Sequence, residues 1–115
     1  MRVYELMVIC DGDLENAEAR KILDDVQSRI SEIGEIASFD FWGLRDFAYE
    51  INHRSRGYYS VLELRASPGA MDPVERHLRI ADGVVRHKLI RLPDEEARRR
   101  GLLGEGSTNS QEAEA

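Results

Sequence analysis

One cysteine, three prolines and three histidines in 115 residues leave few of the usual materials for catalysis or metal binding. A lone Cys10 excludes an internal disulfide and any site with several cysteine ligands. It sits in an apolar run, so a small buried hydrophobe is expected there rather than a nucleophile. His53, His77 and His87 show no HxxxH spacing and there is no CxxC, so no metal site is expected. Neither a GxxxxGK phosphate loop nor GxGxxG occurs. Ser60 and Cys10 have no base beside them in sequence, and the carboxylates between residues 14 and 33 spread over what reads as a solvent face. No catalytic motif therefore stands out in the sequence, and no cofactor is expected. No apolar stretch reaches the length of a membrane span. The opening MRVYELMVIC has the layout of neither a signal nor a transit peptide, so a cytoplasmic protein without a membrane partner is expected.

Positive charge is scarce overall, with 16 Lys and Arg against 22 Asp and Glu and a formal charge of −6. It is also unevenly placed. Residues 1–40 carry ten acids and four bases, whereas residues 41–92 carry six acids and nine bases. Between Arg76 and Leu92 stand Arg76, Arg79, Arg86, Lys88 and Arg91 against Asp82 alone. A cationic segment on an acidic chain points to a polyanionic partner met locally, since the bulk charge repels one.

Hydrophobic periodicity divides the chain into six elements. Arg2–Cys10 alternates as a strand apolar on both faces, with Asp11–Asp13 as break and helix cap. Leu23, Val26, Ile30 and Ile33 recur at helical spacing within Leu14–Ile33, and Gly34 is placed to end that helix. Glu35–Ile51 and Gly57–Ala66 read as two strands joined by the basic loop NHRSR, with a bulge at Gly43. Asp72 as cap and Pro73 as first residue open a second helix, stopped by Asp82-Gly83 before a last strand, Val84–Leu92.

This βαββαβ order, with right-handed crossovers, predicts an α+β ferredoxin-like sandwich: two helices on one face of a four-stranded antiparallel sheet. Residues 1–93 form that domain. Nothing remains to cover the other sheet face, where Val3, Met7, Ile9, Tyr59 and Val61 fall by parity, so a partner is expected on it. Residues 94–115 change to charged, small and polar composition and predict a flexible acidic C-terminal tail, with a helical turn over Asp94–Arg100.

Three blocks carry a resemblance. They are Met1-Arg2-Val3-Tyr4-Glu5, then Trp42-Gly43-Leu44-Arg45-Asp46-Phe47-Ala48-Tyr49-Glu50-Ile51 with Gly57-Tyr58-Tyr59, and Leu78–Arg91, LRIADGVVRHKLIR. In order and spacing over residues 1–92 they resemble the M-R-x-Y-E, W-G-x-R-x-L-A-Y-P-I and L-R-I-x-D-x-V-x-R-x-x-x-x-R blocks of the bacterial small-subunit ribosomal protein number six family. Glu50 stands where that family usually has Pro. Asp46 and Val85 stand where some relatives carry a second Arg, which thins the positive patch.

The resemblance implies a structural, non-catalytic component of the small ribosomal subunit, cytoplasmic and within the ribosome. Such a protein binds the central domain of small-subunit ribosomal RNA together with ribosomal protein number eighteen, with no small-molecule substrate. It implies RNA contacts at Arg2, Arg45, Arg79, Arg86 and Arg91, to which His87 and Lys88 add by proximity on the last strand. Arg2 and Arg86, on adjacent strands, are expected to be neighbours in one patch. Val3, Trp42, Tyr49, Tyr59 and Val61 are expected to meet the partner protein. The competing readings are a ferredoxin-like small-molecule sensor, and an acid-anhydride hydrolase that would pair Asn16 or Asn52 with an arginine. For any single arginine, pairing with Asp82 or Glu5 is the plainer role.

Overall fold

The computed structural model describes residues 1–51 and 53–103. Its elements are β1 (Arg2–Asp11), α1 (Asn16–Ile33), β2 (Gly34–Ile51), β3 (Arg54–Ala66), α2 (Asp72–Ile80), β4 (Val84–Arg91) and α3 (Asp94–Arg99). The strands form one antiparallel sheet in the order β2-β3-β1-β4. The first six elements follow the expected βαββαβ order, and α1 and α2 lie on one sheet face.

Alternation explains that covered face. Tyr4, Leu6, Val8 and Cys10 of β1 point the same way as Tyr58, Leu62 and Leu64 of β3 and meet Ala19, Leu23, Val26 and Ile30 of α1 and Val74 and Leu78 of α2. Fully burying a Leu, Ile or Val side chain contributes about 1.5–3 kcal/mol, which makes this layer the main source of stability. Ser60 is fully buried among these side chains, and its hydroxyl donates to the Val8 carbonyl at 3.1 Å. That bond removes the penalty for an unpaired buried hydroxyl. Burial pushes the Cys10 thiol up to about 12, in keeping with an inert packing role.

The element ends differ from the sequence expectation in physically simple ways. Asp11 is the last residue of β1, and its carboxylate accepts the Asp13 N–H at 2.9 Å in a local turn rather than capping α1. The cap is Glu15, whose N–H donates to the Glu18 carboxylate at 3.0 Å. Gly34 does not take a left-handed C′ conformation. It is extended (φ −170°) and opens β2, and glycine is required because a Cβ there would lie 2.3 Å from the Arg65 carbonyl oxygen. Met71 takes the cap position of α2, leaving Asp72 as its first residue. The five-residue loop shrinks: β2 runs to Ile51, and β3 resumes at Arg54, paired with it. Gly43 (φ +84°) does sit at a register shift, beside two others in β2.

Candidate nucleic-acid and partner interface

Direct cross-strand partners share a face, so the register settles what the uncovered side of the sheet presents. Glu5 stands opposite Glu63 on β3 and Ile90 on β4, Met7 opposite Val61 and Lys88, and Ile9 opposite Tyr59 and Arg86. The expectation that nothing covers this face needs correction at both ends. At one end, the chain leaves β4 through Leu92 and Pro93 and folds α3 back over the sheet. Ala97 and Leu102 close over Val3, leaving it 2% exposed in a small cluster separate from the main core. At the other end, the bulged β2 curls over: Trp42 stacks on Tyr59 (centroids 6.1 Å apart, 7° between planes) and Phe47 meets Tyr59 edge-on at 5.8 Å. Ile9 is thereby only 1% exposed.

Between these two covers a groove of about 500 Å³ remains, lined by Met7, Val61, Ile90, Arg86, Lys88 and the hairpin aromatics Trp42, Tyr49 and Tyr59. Of the five residues expected to meet a partner, Trp42 (49% exposed) and Tyr49 (79%) are displayed, while Tyr59 and Val61 are half-buried in the groove. Val3 lies under α3 and touches no partner while that helix is in place.

The seven expected RNA-contacting residues do not form one patch. Arg86 and Lys88 project into the groove face from the β4 edge. Arg45 lies on β2, at the opposite edge, paired with Gly57 of β3 and three strand spacings or roughly 14 Å away. Arg2 is opposite Ala66 and Arg91 opposite Tyr4, so both belong to the helix side, at the far end of the strands. Arg86 is opposite Ile9, seven residues along β1 from Arg2, or roughly 23 Å. Adjacent strands do not make Arg2 and Arg86 neighbours. Arg79 is exposed near the end of α2. His87 faces the helices, 3.4 Å from the Glu75 carboxylate.

These cations share one property despite their dispersal. Among the described residues Arg2, Arg45, Arg79, Arg86, Lys88 and Arg91 are exposed and none is in an ion pair. The plainer role, pairing with Asp82 or Glu5, does not arise. Glu5 is taken by Arg100, at 3.3 Å. The site reading from sequence also passed over three basic residues around Arg45, namely His53, Arg54 and Arg56 at the hairpin end. Arg56 pairs with Asp46 in the β2–β3 register and is exposed, while Arg54 donates to the Asp11 carboxylate at 2.9 Å. The Asp13 N–H, then Arg54, hold that carboxyl below its usual range. The richness of NHRSR in bases was the available signal. Asn16 opens α1 and is exposed, and Asn52 lies outside the described residues.

The family model for ribosomal protein S6 matches residues 3–91. The chain belongs to the ribosomal protein S6 family. Small ribosomal subunit protein bS6 of Caldanaerobacter subterraneus subsp. tengcongensis is 40% identical over 95 residues, covering 82% of this chain and all of that protein. The Salinispora arenicola bS6 is 41% identical over 92 residues, covering 79% of this chain and 96% of its own. The crystal structure of 30S ribosomal protein S6 from Thermotoga maritima superposes with a TM-score of 0.79 at 29% identity, covering 86% of this chain and 94% of that one. The S6 match takes in all four strands, save Arg2 at the start of β1, and both helices α1 and α2, and stops short of α3.

Proposed function

We propose that this chain is a structural component of the small ribosomal subunit, in the cytoplasm, which binds small-subunit ribosomal RNA in its central domain together with ribosomal protein number eighteen. The observation that carries the RNA reading is the set of six exposed cations without carboxylate partners among the described residues, on a chain whose overall charge is −6. An unpaired guanidinium keeps its fork of N–H donors for phosphate oxygens, and such contacts fix position and orientation while RNA shape supplies specificity. Because the cations lie on both edges and both ends of the sheet, the protein is read as seated among several backbone segments rather than against one. The aromatic groove, with Trp42 and Tyr49 displayed, suits the partner protein. Rigid aromatic rings in a concave apolar patch are the usual anchors of protein interfaces.

Salt dependence of binding to a central-domain RNA fragment, with the partner protein present, tests this. Each phosphate contact adds roughly 0.7–0.9 to the log–log slope, so Arg86→Gln with Lys88→Gln lowers it by about 1.4–1.8. An unchanged slope would defeat the assignment of β4 to RNA.

A further inference from the structure

Glu5 and Glu63 stand directly opposite each other on β1 and β3, an arrangement that is destabilising for like charges. Arg100, just after α3, resolves it. Its Nη1 donates to Glu63 at 2.8 Å and to Glu5 at 3.3 Å, while its Nε donates to Glu96 at 2.6 Å. Hydrogen bonding to Glu63, then to Glu5, holds its proton more tightly than usual. Beside this ionic seat, Ala97 and Leu102 fill the hollow over Val3, and Arg65 donates to the Leu102 carbonyl at 2.6 Å. Glu5 also lines the aromatic groove, so the seat and the groove are continuous.

Residues 94–103 therefore show what this half of the face accepts: an arginine in a carboxylate pair, flanked by small and branched apolar side chains. The hold is slight. The helix is six residues long, its apolar cluster is separate from the core, and it lies beyond the residues that the family match covers.

We propose that residues 94–103 are a displaceable strap, and that Arg100 occupies in cis a seat taken in the assembled state by an arginine of a basic, apolar-flanked partner segment. This rests on the reading that the partner protein docks on the groove face. Displacement uncovers Val3 and lengthens the groove into a single track from Val3 to Trp42. Until it is displaced, the strap lowers the apparent affinity by the fraction of molecules that are closed.

Two variants of the full chain separate the roles, measured by amide exchange at Ala97, Leu102 and Gly101 and by binding to purified ribosomal protein number eighteen. Arg100→Ala speeds exchange in the strap and tightens partner binding by about 3–10-fold, because the internal competitor is gone. Glu5→Gln with Glu63→Gln also speeds exchange but weakens partner binding by about tenfold or more, because the seat itself is lost. Opposite effects on binding with the same effect on the strap are the expected signature. If Arg100→Ala opens the strap and binding stays level or weakens, the strap is not a competitor and the proposal falls while the docking face stands. If exchange is unchanged in Arg100→Ala, the strap is not held by this seat and the proposal also falls. If neither these variants nor Val61→Asp alters partner binding, the docking face itself has been misplaced and the proposal goes with it.

Discussion

The two faces of the sheet use the same alternating strands to opposite ends. Under the helices, side chains of β1 and β3 meet α1 and α2 in one continuous apolar layer, and the buried polar side chain among the described residues, Ser60, has its hydrogen bond. The other face is a patchwork of a short strap over Val3, a curled aromatic hairpin over Ile9, and a groove edged by Arg86, Lys88 and Glu5. A surface meant only for stability would be closed like the first. Leaving apolar and charged groups side by side and half covered costs stability, and is the form binding surfaces take.

That contrast breaks most readily at Leu62, fully buried under the helices. Leu62→Ala is expected to lose about 2–5 kcal/mol in denaturant unfolding, and a loss near zero would contradict the division of labour. The next effect is read by pH. In the unfolded chain the Cys10 thiol ionises in the ordinary thiol range, whereas burial in the fold holds it neutral up to about 12. The unfolded state then binds fewer protons, so stability falls as pH rises through that window, by at most about 1.4 kcal/mol per pH unit. Cys10→Ala should remove that part of the slope. Val61→Asp, on the groove face, should cost less than about 1.5 kcal/mol yet weaken partner binding by about tenfold or more. The Arg86→Gln and Lys88→Gln pair should leave unfolding unchanged within about 0.5 kcal/mol while altering the RNA salt slope.

The element order and the covered face were legible in the sequence because periodicity reports which side of a strand or helix a residue occupies. Leu6, Leu62, Leu23 and Ile30 announce their layer by spacing alone. Height along a strand is not encoded that way. Arg2 and Arg86 lie on adjacent strands as expected, but register sets them seven residues apart, and register depends on turn lengths and bulges distributed over the whole sheet. The strap was hidden for a related reason. The stretch from Asp94 to Leu103 is polar in composition, and its packing rests on Ala97, Arg100 and Leu102 meeting Val3, Glu5 and Glu63, contacts as far as 95 residues apart in sequence. Gly34 was recognised as a boundary, but the reason for glycine, the Arg65 backbone pressed against it, lies on another strand. Of the flexible tail expected over residues 94–115, residues 94–103 pack on the sheet instead, and the remainder falls outside the described residues.

Hydroxyl-radical footprinting of the chain, alone and assembled with the RNA fragment and ribosomal protein number eighteen, tests most directly whether the groove face is the binding face. Trp42 and Tyr49 are exposed in the free chain and should lose most of their reactivity on assembly. Protection of the α1–α2 surface with Trp42 and Tyr49 left reactive would contradict the account.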